Sequence, residues 1–123
     1  MVTGMETMEQ LLKKAIESHT DSSIAEIREK DTAFCKIELH CDRPFKAVRD
    51  SAIDAGTVIE EDEDKGIVSV LIKGGAVPTP PALIVARVQA NQVELASYFH
   101  EGLIPQHAAK KTLEIFAKAM TSY

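Results

Sequence analysis

The chain has 123 residues, 45% hydrophobic and 27% charged, which suits one globular domain that buries about two thirds of its unfolded surface without disulfides or metals. That balance excludes a disordered chain, and the apolar runs, broken by Lys73, Pro78, Pro80 and Pro81, are too short for a membrane-spanning helix. The net charge of −5 disfavours nucleic acid as a partner, because the densest basic pairs, Lys13-Lys14 and Lys110-Lys111, lie on separate predicted helix surfaces.

The first eight residues lack the basic start and apolar core of a secretion signal, so a cytoplasmic location is expected. Met5, Met8, Leu12, Ala15, Ile16 and His19 then recur at helical spacing among Glu9, Gln10, Lys13, Lys14 and Glu17, which predicts an amphipathic helix over residues 5–19. Residues 23–29 read as a weak strand, 29–32 as a turn, and 33–41 as a strand in which Ala33, Cys35, Ile37, Leu39 and Cys41 alternate with Phe34, Lys36, Glu38 and His40. Asp42 is placed as an N-cap and Pro44 in the first turn of a second helix. Phe45, Val48, Ala52 and Ile53 would form its apolar stripe, and Gly56 its stop.

Strands follow at 57–61 and 67–73, joined by an acidic loop that closes at Gly66. A Gly-Pro-rich connection over 74–81 leads to two further strands, 82–89 and 92–99. With Ala90-Asn91 as a two-residue turn, Val88 faces Val93, Ala86 faces Leu95 and Ile84 faces Ser97 on one side of this hairpin. Arg87 then faces Glu94, Val85 faces Ala96 and Leu83 faces Tyr98 on the other, so charges and apolar groups both meet their complements. Pro105 introduces a final helix to about residue 119, with Ala108, Ala109, Thr112, Leu113, Ile115, Phe116, Ala119 and Met120 as its apolar stripe.

The order α-β-β-α-β-β-β-β-α predicts a single α+β domain over residues 1–123: an antiparallel sheet of about five to six strands packed by helices, with a long C-terminal helix. Without the first helix and strand, this succession resembles one repeat of the TATA-binding-protein fold or a reduced helix-grip domain. The likeness lies in element order alone and carries no function.

Chemistry is sparsely signalled. His100 and His107 lie seven apart across Gly102 and Pro105, whereas a zinc-protease helix needs histidines four apart. His40-Cys41 are strand neighbours that point to opposite faces. The carboxylate run from Glu60 to Asp64 fails as a calcium loop, because setting Gly66 at the central glycine puts Lys65 at a ligand position and Ile72 in place of the closing glutamate. Cys35 and Cys41 are too far apart on one strand to bond and read as free, buried thiols. No catalytic residue, metal or cofactor is therefore expected, and enzymatic activity has no residue pattern behind it.

The informative feature is that the strands over 67–73 and 82–89 are apolar on both faces. Helices on one side of a sheet cover only one of those faces, so the other needs the first helix, a second copy of the chain or an apolar ligand. The expected function is a non-catalytic binding or association module that forms a homodimer through this second face, carried by Leu83, Val85, Arg87, Tyr98 and His100. The alternative is an apolar small molecule held in a cavity between the C-terminal helix and the sheet.

Overall fold

A computed structural model of the chain describes residues 7–19, 31–72, 82–99 and 108–121. These residues form α1 (Met8–His19), β1 (Thr32–Glu38), α2 (Pro44–Ala55), β2 (Thr57–Asp62), β3 (Ile67–Ile72), β4 (Ala82–Gln89), β5 (Gln92–Tyr98) and α3 (Ala108–Met120). The element order is the predicted one, except that the strand expected over 23–29 lies outside the described residues. The fold is α+β, with all five strands antiparallel in the order β1-β5-β4-β3-β2.

The β4–β5 hairpin has the register expected from its side chains, pairing Arg87 with Glu94, Val85 with Ala96 and Leu83 with Tyr98. Ala90 and Asn91 are its two-residue loop, and Ala90 takes a positive φ of 53°. An alanine there is strained, because its Cβ crowds the backbone where glycine would not.

Strand alternation sends two sets of side chains to opposite faces. On one face Val68, Val70, Ile84, Ala86, Val93 and Leu95 form a core with Val48 and Ala52 of α2 and Leu113, Phe116 and Met120 of α3. Ser97 lies on this face too, and its hydroxyl donates to the Ala109 carbonyl, fastening the start of α3 to β5. On the other face Ile67, Leu83, Val85, Ala96 and Tyr98 form a second core with Met8, Leu11, Leu12, Ala15 and Ile16 of α1.

Several element ends differ from the sequence-based expectation. β1 stops at Glu38 rather than Cys41 because its partner β5 begins at Gln92. Beyond that point the Leu39 amide donates to the Asn91 carbonyl in the hairpin loop. The cap position of α2 falls on Arg43, not Asp42, and no side chain caps it. Pro44 opens the helix, needs no acceptor for a missing N–H, and holds the residue before it extended.

Ile53, Ile115 and Ala119 were expected in helix stripes but are exposed. The buried stripes are narrower: Ala47, Val48, Ser51 and Ala52 on α2, and Ala109, Leu113, Phe116 and Met120 on α3. α1 begins at Met8 and is closed by a reciprocal capping pair. The Gln10 amide donates to the Thr7 hydroxyl, and the Thr7 amide to the Gln10 side-chain oxygen.

Candidate functional site

The site is built on the face of the sheet that α1 covers. Period-two alternation puts Leu83, Val85 and Arg87 of β4 beside Tyr98, Ala96 and Glu94 of β5. α1 lies across these two strands. Its apolar positions 8, 11, 12, 15 and 16 follow the i, i+3, i+4, i+7, i+8 spacing that sets one continuous stripe against a sheet.

Leu83 and Val85 are fully buried here and Tyr98 nearly so, all in one cluster with α1. Arg87 stands at the end of the groove, where a guanidinium N–H donates to the Glu94 carboxylate at 2.8 Å. The pair is partly buried, so solvent screens it less than an exposed pair, and it fixes the register at that end. His100 lies outside the described residues. Thus Leu83, Val85 and Tyr98 share one buried patch, Arg87 borders it, and the patch is covered by the chain's own first helix.

The cover does not extend across the whole face. Phe34 projects to the same side from the edge strand β1 and remains 49% exposed. On the opposite flank Ile59 and Leu71 pack against the α1 cluster while staying half-buried.

A cleft of about 520 Å³ opens at the end of the sheet where β3 begins and β4 finishes. Leu11 of α1 and Phe45 of α2 contribute walls from opposite faces of the sheet, with Ile67 and Val88 between them and Glu63 and Lys65 at the turn. Gly66 fixes this corner: its φ is 72°, and a Cβ would collide with the Val88 carbonyl oxygen. The Val88 amide in turn donates to the Gly66 carbonyl at 2.7 Å. The sequence signalled Gly66 as the loop closure, but not this cleft, since Leu11 was not placed in the α1 stripe and Phe45 belongs to the other face.

Between α3 and the sheet, where an apolar cavity was the alternative expectation, Leu113, Phe116 and Met120 are buried against Val93 and Leu95. Cys35 and Cys41 are half-buried free thiols at the border of this core. Burial, and secondly the charge of Glu114, push the Cys35 thiol above its ordinary pKa, the opposite of what activates a cysteine nucleophile. Among the described residues no three His, Cys, Asp or Glu side chains gather as metal ligands, and no helix is long and apolar enough to cross a membrane. The chain matches no protein-family model and no curated protein sequence.

Proposed function

We propose that this chain is a non-catalytic association module, resident in the cytosol, whose working surface is the outer face of β4 and β5 and whose assembled form is a homodimer. One observation supports it above others: this face carries a second buried apolar cluster, and a single twelve-residue helix, α1, supplies the helical half of it. A second copy reaches Leu83, Val85 and Tyr98 only where α1 moves. Free thiols at Cys35 and Cys41 suit a reducing compartment.

Native mass spectrometry of the protein as purified tests the reading, with a dimer mass expected. Val85→Glu buries a carboxylate in the middle of the patch and should turn that dimer into a monomer or an insoluble chain. An unchanged oligomer of unchanged stability rejects the proposal. The cleft beside Gly66 favours a second reading, a small molecule with an apolar body seated between Leu11 and Phe45. The same spectrum addresses it, because a monomer carrying extra mass would support a retained ligand.

A further inference from the structure

We infer that the cleft beside Gly66 takes a compact, uncharged amphipathic molecule, with its apolar body on Phe45 and Val88 and a hydrogen-bond acceptor, such as an amide or ketone oxygen, on the Arg87 side. This rests on the small-molecule reading proposed above and adds the chemistry of the ligand and the way round it lies.

The cleft turns the end of the sheet, so its two sides belong to different cores. Ile67 and Arg87 are cross-strand partners on the face that α1 covers, and Leu11 stands over them. Phe45 and Val88 lie on the other face, at the margin of the main core. The two sides differ in how much apolar surface they have left to bury. Leu11 and Ile67 are only 8% and 7% exposed, whereas Phe45 and Val88 are half-buried. An apolar body therefore removes most new surface from water where it lies on Phe45 and Val88. The corner between the two sides is built by the chain alone, since the Val88 amide donates to the Gly66 carbonyl and ties β4 to the turn. Its volume of about 520 Å³ falls within the ~300 to ~1,000 Å³ of small-molecule sites.

Charge decides the polar end. The described residues of the wall include two acids, Glu63 and Asp64, and two bases, Lys65 and Arg87. Glu63, Asp64 and Lys65 are exposed at the turn, where water and salt screen them. Arg87 is the buried charge of this wall, and a guanidinium donates hydrogen bonds but accepts none. A ligand end that meets it has to be an acceptor, which turns away an ammonium or an amidinium. An anionic acceptor is opposed for a different reason. The Glu94 carboxylate already answers the Arg87 charge at 2.8 Å, so a second carboxylate would sit beside a like charge and give up its own hydration to do so. An uncharged oxygen meets neither objection.

Three probes of one shape test this by amide NMR on the full chain: naphthalene carboxamide, carboxylate and carboxamidine, which are neutral, anionic and cationic near neutral pH. The carboxamide should cause saturable shifts at Gly66, Ile67 and Val88, and the two charged probes should bind about tenfold more weakly. Phe45→Ala should weaken the carboxamide by about tenfold, and Phe45→Leu, which keeps much of the volume without the ring, replaces it where the alanine chain does not fold. Glu94→Gln removes the competing carboxylate and should bring the anionic probe level with the neutral one.

A charged probe that binds wild type as tightly as the carboxamide overturns the uncharged class and leaves the small-molecule reading in place. A carboxylate that stays about tenfold weaker on a folded Glu94→Gln chain overturns the part given to Glu94, and carboxamide binding untouched by the Phe45 variants overturns the orientation. No saturable shift at the cleft from any of the three probes removes this inference and the small-molecule reading together.

Discussion

Leu12 and Leu95 form a matched pair for deciding whether α1 is a separable cover. Both side chains are sealed from water, at 1% and 0% exposure, but Leu12 belongs to α1 and Leu95 to the middle of β5 in the opposite core. Truncating a buried leucine to alanine costs ~2.7 to ~5 kcal/mol through lost transfer energy and the cavity left behind. For Leu95 the whole amount falls on global unfolding, since β5 lies between β1 and β4 and cannot leave without dismantling the sheet. For Leu12 the loss is capped at the docking free energy of α1, because once the helix is off the sheet a further defect in it no longer matters to the body. Leu95→Ala should therefore lower the unfolding free energy by ~4 kcal/mol and Leu12→Ala by only ~2 kcal/mol. Urea titrations followed by far-ultraviolet circular dichroism give both values. The Leu12→Ala titration should also show a smaller m, since a chain with α1 undocked exposes less new surface on unfolding. Amide exchange within α1 should accelerate by about 30-fold, the equivalent of ~2 kcal/mol. If Leu12→Ala costs as much as Leu95→Ala, and α1 amides exchange only on global unfolding, α1 belongs to one cooperative unit and is not a separable cover.

Three other outcomes follow from the turns and the thiol. Gly66→Ala combines a left-handed backbone position with a collision against the Val88 carbonyl. It should lower stability by ~2 to ~3 kcal/mol, and a shift in the urea midpoint worth under ~1 kcal/mol would contradict that close approach. Ala90→Gly relieves the strain at φ 53° and should raise stability by ~0.5 to ~1 kcal/mol after the added freedom of the unfolded chain is subtracted; a loss on the same titration would show that the turn carries no strain. The folded chain keeps the Cys35 proton to higher pH than the unfolded chain does, through burial first and Glu114 second. Stability should therefore fall as pH rises past the ordinary thiol value, and urea midpoints of wild type and Cys35→Ala should diverge there, with parallel curves refuting the assignment.

How much of this was legible in the sequence depended on whether a signal was local. The β4–β5 register could be read because Arg87 with Glu94, and Val85 with Ala96, agree on one alignment and a one-residue slip would invert every side chain. The need for a second cover was legible too, from strands apolar on both faces. That α1 is the cover was named only as one of three possibilities, since Met8 to Ile16 would fit any apolar sheet face and only the three-dimensional path of the chain selects one. Helix stripes were read too wide at Ile53 and Ile115: a residue one step beyond a buried position is turned by about 100° and can face water. The same sequence distance hid the cleft, whose walls Leu11 and Phe45 come from helices on opposite faces of the sheet.

The edge opposite β1 bears on why the proposed homodimer would use a face rather than that strand edge. β2 closes that side of the sheet, and its register slips between Val58 and Glu60, a bulge that interrupts the row of donors and acceptors a second strand would need. Beyond the bulge it presents Glu60, Glu61 and Asp62, so an antiparallel neighbour of the same sequence would bring carboxylates together. Arg49 of α2 sits 3.8 Å from Glu61, an exposed contact too weak to neutralise the run. Strand addition is thus opposed at this edge, whereas the face of β4 and β5 is apolar and covered by α1. Because α1 fills that face in the single chain, the association proposed above would have to wait for α1 to leave. On that proposal, dimer formation should be slow and should speed up in Leu12→Ala, whose α1 is less firmly docked, as mixing experiments followed by native mass spectrometry would read; equal rates in the two chains would refute it.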